Sequence, residues 1–225
     1  VSRNTLIALG VVVLIALAGG AWFLTQGASN TSTGTAGGYE ILPTDRAMGN
    51  PKSKVVMIEY FAPSCPVCAA FSVQAFPQIK ARYIDTGKIY YIFRVFPLRP
   101  DDGAAEKIAR CLPEDKYFPF IDLLFKNQPK WDVEYGVQQG QGVHDGLVQV
   151  GRIAGMSAEQ VDQCMAPNKA EDDRINKVSA EGQSRYSITG TPTFILNGAN
   201  IGTGNVAFDT LAKQIDAELA KQAGK

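Results

Sequence analysis

Residues 55–76 read VVMIEYFAPSCPVCAAFSVQAF, and two cysteines stand where the pattern changes. Val55 to Phe61 is apolar and rich in β-branched and aromatic residues, the composition of a buried strand. From Ala69 to Phe76 the residues suit a helix. Cys65-Pro66-Val67-Cys68 therefore falls on a strand-to-helix turn, where two cysteines at this spacing can close a small disulfide ring. The first sulfur then lies at a helix N-terminus, whose unpaired N–H groups and dipole favour a thiolate. A thiolate is the species that attacks and leaves in disulfide exchange. The pattern predicts a redox site. Half of a zinc site is one competing reading, but it needs two more close-spaced Cys or His ligands. The chain offers only Cys111, Cys164 and His144, each isolated, so no metal is expected, and no cofactor. An inert structural disulfide is the other.

The chain has 225 residues, enough for one domain of ordinary size plus appendages. Hydrophobic content of 45% and charged content of 20% describe a globular protein with an adequate core. Lys+Arg and Asp+Glu are both 22, so no basic field points to nucleic acid.

Thr5 to Leu24 is a run of 20 residues without a charge. As a helix it would span roughly 30 Å, the hydrocarbon thickness of a bilayer. Arg3 lies before it, and the next ionisable side chains after it are Tyr39 and Glu40. The positive-inside bias then puts the N-terminus in the cytoplasm and everything after Leu24 outside. Residues 1–25 are expected to form a membrane anchor, with 5–24 in the inner membrane. A signal peptide cut after Ala16-Leu17-Ala18 is the alternative, against which the apolar run continues through Ala21-Trp22-Phe23-Leu24. Both readings export the rest of the chain to an oxidising compartment, where cysteine pairs persist.

Residues 26–38, QGASNTSTGTAGG, read as a flexible linker. Tyr39 to Leu42 is expected as a short first strand and Pro43 to Lys54 as a loop. Pro77 should kink or divide the helix that begins near Cys65. Lys88 to Phe96 is the clearest strand, so the order strand–helix–strand implies a crossover to a parallel neighbour. Helical patterns follow at 104–110, 117–125, 146–154, from a capping box at Ser157–Gln160, and at 169–185. A Gly/Gln-rich loop is expected from Trp131 to Gly142, with His144 a loop or helix-start residue. Thr193 to Leu196 reads as a strand, Asn197-Gly198 as a hairpin turn, and Asn200 to Gly202 as the returning strand. Phe208 to Ala220 closes the chain as an amphipathic helix. The ends, 39–100 and 187–225, make up a thioredoxin fold of class α/β, and 101–186 an all-helical domain inserted in it.

Three motifs in this order resemble the DsbA-type family of extracytoplasmic thiol–disulfide oxidoreductases, over about residues 39 to 222. They are the C-x-x-C at 65–68, Glu59 six residues earlier, and Gly190-Thr191-Pro192-Thr193-Phe194. The resemblance implies that Glu59 is a buried acid beneath the active site and that Thr191-Pro192 is a cis-proline loop beside the disulfide. Pro66, Val67, Thr191 and Pro192 would then meet an extended substrate peptide, added as a strand. In its apolar strand Glu59 would have a raised pKa and take a proton from Cys68 as that sulfur becomes the second nucleophile. A solvent-facing Glu59 and an ordinary trans turn at Pro192 are the plainer readings. The best-known oxidising members carry His before the second cysteine. Here that position is Val67, so Cys65 relies on the helix N-terminus and the disulfide should be less oxidising.

The resulting expectation is a monomeric, membrane-tethered periplasmic oxidase acting on unfolded exported proteins with free cysteines. By resemblance, a quinone-linked integral membrane protein reoxidises it. A reductase or isomerase of the same fold is the nearest alternative, and a non-catalytic peptide-binding holdase the more distant one. Cys111 and Cys164 fall near the ends of two predicted helices and are expected to form a structural disulfide, against the alternative of two buried free thiols. Mild reduction is expected to open Cys65–Cys68 first, as the more exposed pair.

Overall fold

A computed structural model describes residues 38–224. The expected anchor at 1–25 and all of the linker but Gly38 lie outside the described residues. Among the described residues no helix is long and apolar enough to cross a membrane.

Five strands form one sheet: β1 (Arg46–Gly49), β2 (Val56–Phe61), β3 (Tyr90–Val95), β4 (Thr193–Leu196) and β5 (Ala199–Thr203), in spatial order β1-β3-β2-β4-β5. Only β2 and β3 pair in parallel, with Glu59 opposite Phe93. They are joined by α1 (Pro66–Gln74) and α2 (Phe76–Ile79), which runs into a wider turn at Lys80–Ile84. Pro77 stands in the first turn of α2, and the break falls at Ala75. The insertion between β3 and β4 holds α3 (Pro100–Cys111), α4 (Tyr117–Lys126), α5 (Gln128–Trp131), α6 (Gln141–Ile153), α7 (Ala158–Met165) and α8 (Lys169–Tyr186). The chain ends in α9 (Phe208–Ala223).

All six side chains of β2 are buried, which requires cover on both faces of the sheet. Val56, Ile58 and Tyr60 pack with Ile92 and Ile195 under Val178 and Tyr186 of α8. Met57 and Phe61 alternate with them and pack with Tyr91, Phe93 and Phe194 under α1, α4 and α9. Period-two alternation thus puts Glu59 on the α1 face, below the cysteines. Aromatic edges tie the insertion to that face: Phe118 lies 5.3 Å from Phe93 and Phe125 6.1 Å from Phe61, centroid to centroid. On the other face Arg94, 2% exposed, binds Asp45 through two nitrogens (2.9 and 2.8 Å), Tyr60 and Glu181 of α8. Loss of both carboxylates there would strand a buried charge at a cost of about 3–5 kcal/mol.

The first strand differs from the sequence expectation. Tyr39 to Leu42 forms no ladder; Tyr39 and Leu42 are a buried strap over the sheet, and the strand is Arg46–Gly49, inside the expected loop. Its residues have little strand propensity, and pairing with Tyr90–Phe93 decides it. The helix expected at 146–154 is α6 and begins at Gln141, and the preceding loop contains a short helical turn at Val133–Tyr135. Gly146 reads as a weak helix former, yet a Cβ there would lie 2.2 Å from the Lys130 carbonyl oxygen. It is a close-packing glycine, not a boundary. At the hairpin, Asn197 (φ 46°) and Gly198 (φ 89°) both take the positive φ that a tight two-residue turn needs.

Candidate active site

Strand β2 ends at Phe61, and the chain turns through Ala62–Ser64 into Cys65, the N-cap of α1. The Cys65 N–H bonds back to the Ala62 carbonyl at 3.0 Å, and the Cys65 carbonyl accepts the Ala69 N–H at 3.1 Å. This geometry turns the Cys65 sulfur over the first turn of the helix, where it accepts the Cys68 N–H at 3.2 Å. Pro66, at the first helical position, has no N–H to leave unpaired. Pro66 and Val67 are exposed, whereas Cys65 (4%) and Cys68 (0%) are buried, both as thiols.

The Thr191–Pro192 peptide bond is cis. It brings the Thr191 carbonyl oxygen to 3.3 Å from Cys65 Sγ, accepting from the thiol, across 126 positions of sequence. Thr191 and Pro192 thereby lie beside Cys65; of the two cysteines, Pro66, Val67, Thr191 and Pro192, only Pro66 and Val67 are exposed. Glu59 lies beneath the cysteines, 1% exposed, with Tyr91 donating its hydroxyl to Glu59 Oε2 at 2.7 Å.

These surroundings drive the two sulfurs apart. The Cys65 pKa falls to about 6, mainly because the Cys68 thiol hydrogen-bonds its sulfur. Burial opposes the shift, while the Thr191 side chain and the N–H groups of Cys68 and Val67 add to it. At pH 7 about nine-tenths of Cys65 would be thiolate. Burial pushes the Cys68 thiol well above its ordinary value, and the neighbouring charges of Cys65 and Glu59 push the same way. Burial likewise raises Glu59 to about 8; the Tyr91 hydrogen bond opposes this and the Cys65 thiolate adds to it. Near neutrality Glu59 is therefore mostly an acid with a proton to give. One thiolate-forming sulfur at a helix N-terminus, one thiol held protonated and a buried proton carrier make a site suited to dithiol–disulfide exchange.

Tyr91 is a site residue that the sequence reading missed. It is one aromatic in a strand full of them, and only the β2–β3 register puts its hydroxyl on Glu59. Cys111 and Cys164, at the ends of α3 and α7, are bonded, with Cα atoms 6.0 Å apart. Their exposure reverses the expectation: Cys111 is exposed and Cys164 half-buried, whereas the active-site pair is the buried one. His144 lies in the first turn of α6 and faces Asp162 of α7 at 2.8 Å, with neither Cys65 nor Cys68 among its hydrogen-bond partners. Among the described residues no cluster of three or more His, Cys, Asp or Glu could hold a metal.

A profile of the family described as Thioredoxin matches residues 42–217. A relative from Rickettsia felis, named a protein-disulfide oxidoreductase, is 31% identical over 188 residues, 83% of this chain. The chain spans 64% of that relative's length, and 69% of the Rickettsia bellii relative, also 31% identical. The disulfide bond formation protein D of Bacillus subtilis is 24% identical, over 76% of each chain. The crystal structure of Wolbachia pipientis alpha-DsbA1 superposes with a TM-score of 0.70 at 28% identity, covering 80% of this chain and 94% of that one. Oxidised BdbD from Bacillus subtilis has a TM-score of 0.68 at 21% identity, with 82% and 98% covered, a likeness of fold.

Proposed function

Because the chain belongs to the thioredoxin family, as a DsbA-type protein-disulfide oxidoreductase, we propose that it introduces disulfides into exported client proteins through Cys65 and Cys68. The observation that carries this reading is the unlike placement of the two sulfurs. Cys65 caps a helix beside a cis-proline loop, and Cys68 is buried above a protonated acid.

In the oxidised enzyme a client thiolate attacks Cys65 Sγ. The Cys65–Cys68 bond breaks, and Cys68 leaves with the electron pair. A buried thiolate is costly, so it takes a proton, which Glu59 is placed to supply. A second client thiolate then attacks the client sulfur of the mixed disulfide, and Cys65 departs as a stabilised thiolate. The client has lost two electrons and two protons, and the enzyme holds the Cys65 thiolate and the Cys68 thiol, with solvent returning a proton to Glu59. In the reverse direction Glu59, ionised, accepts the Cys68 proton as that sulfur attacks, the role foreseen from sequence. Pro66, Val67, Thr191 and Pro192 form the docking surface for an extended client strand.

A stabilised Cys65 thiolate favours the reduced enzyme, which makes the disulfide an oxidant and supports oxidase over reductase or isomerase. Continuous turnover then needs a partner to remove two electrons, in our reading a quinone-linked integral membrane protein. The same reading places the catalytic part, as a monomer, on the periplasmic side of the inner membrane, tethered through residues 5–24. The test is oxidation of a reduced two-cysteine peptide together with the equilibrium potential against glutathione. An active Cys65→Ser variant would sink the mechanism, and a strongly reducing potential would sink the direction.

A further inference from the structure

Pro63 to Cys65 leads directly into the sulfur, and side chains of the helical insertion meet its backbone. Gln128, at the start of α5 and 1% exposed, donates its amide N–H groups to the Pro63 carbonyl (2.9 Å) and the Cys65 carbonyl (3.1 Å). Asp102 of α3, fully buried, accepts the Ser64 N–H at 2.7 Å with Oδ1. Its Oδ2 accepts the N–H groups of Leu98 and Arg99. Arg99 donates to the Ser64 carbonyl at 3.4 Å, and is itself held by Asp132 and Glu134. Half-exposed Tyr135 donates its hydroxyl to Gln128 Oε1 at 3.3 Å, which completes a chain from the surface to the Cys65 peptide.

Packing alone does not call for this arrangement. A buried amide is costly unless bonded, and a leucine would fill similar space without that cost. Both Gln128 amide hydrogens are spent on this one turn, and neither on its own helix. The Cys65 carbonyl is thus gripped from two sides, by α1 through Ala69 and by the insertion through Gln128.

We propose that Gln128 is a positioning residue for the Cys65 sulfur, holding the Pro63–Cys65 turn so that Sγ stays over the first N–H groups of α1. The insertion, and not only the thioredoxin fold, then sets how readily the Cys65 thiolate forms and leaves. The inference rests on Cys65 being the sulfur that exchanges with clients.

The experiment is ultraviolet titration of the Cys65 thiolate in the reduced full chain with Cys111–Cys164 intact, for the parent and Gln128→Met, alongside thermal unfolding. Met keeps the length and removes both hydrogen bonds. The expected result is an upward shift in titration of about one unit, roughly tenfold less thiolate below the midpoint. The equilibrium with glutathione should move by a similar factor toward the protein disulfide. A lowered unfolding midpoint with unmoved titration and potential would overturn the proposal and leave Gln128 a structural residue. A parent that titrates as an ordinary thiol would overturn the reading of Cys65 itself. A low-titrating parent beside an unmoved variant overturns this inference alone. Should Gln128→Met not fold, Tyr135→Phe decides, since it loosens the amide from the surface: a shift of about twofold in the same direction supports the proposal, and none overturns it.

Discussion

Cys65 and Cys68 stand three positions apart at the end of a core strand; Cys111 and Cys164 stand 53 apart on two helices of the insertion. Either pair is close enough to bond, so proximity does not distinguish them. Asymmetry does. Around the first pair, the Cys68 thiol and the N–H groups of the helix start stabilise the Cys65 thiolate, while burial and the charges of Cys65 and Glu59 keep Cys68 protonated, lowering one pKa and raising the other. The second pair is the more accessible, with Cys111 exposed and Cys164 half-buried, and joins the ends of two helices. The more accessible disulfide is therefore the one without machinery. Reactivity in this molecule is expected to follow the stability of the departing thiolate more than exposure.

The largest difference expected between the pairs is catalytic. Cys65→Ser should reduce peptide oxidation to background, while Cys111→Ser with Cys164→Ser should leave a folded, active enzyme; equal losses would erase the contrast. Glu59→Gln keeps the shape but has no carboxyl proton to give. It should slow exchange at pH 7 by roughly a hundredfold, with mixed disulfide accumulating in stopped-flow quenching. An unchanged rate would return Glu59 to a purely structural role.

On stability the order reverses. Opening the 53-residue separation should cost up to about 4 kcal/mol in the chain-entropy picture, read by denaturant unfolding of the double serine variant. The pH profile sharpens the contrast further. Because the Cys65 pKa is lowered to about 6, its alkylation in the reduced chain should rise with pH through that point and flatten about a unit above it, where the thiolate is nearly all formed. Cys68, held well above its ordinary value, should stay unreacted across the same range. Titration with a mild reductant, followed by mass spectrometry, should open Cys65–Cys68 before the exposed Cys111–Cys164; the opposite order would show that access governs after all. The smallest effect belongs to Val67→His. An imidazolium at this exposed position should lower the Cys65 titration by about one unit and make the disulfide more oxidising.

Much of this was legible in the chain because the decisive signals are local. An apolar run, a C-x-x-C and a helix make the redox turn within 22 residues, and nothing distant is needed to put Cys65 at a helix start. Ser157–Gln160 carries its capping box in four positions, and Asn197-Gly198 its turn in two. The first strand was not legible, since Arg46–Gly49 is a strand only because β3 offers it a ladder. Nor was the order of exposure of the two cysteine pairs, which depends on how the insertion packs over α1.

The site divides in the same way. Side-chain types and their spacing named both cysteines, because the chemistry requires two of one residue at a particular local step, and the family resemblance named Glu59 and Pro192. Tertiary structure alone brought Tyr91 to Glu59 across 32 positions, Thr191 to Cys65 across 126, and Gln128 to the Cys65 peptide across 63. A hydroxyl, a carbonyl or an amide is found in every protein and carries no signature of its own. It acquires a role when register and packing place it about 3 Å from a group that must be held, charged or protonated.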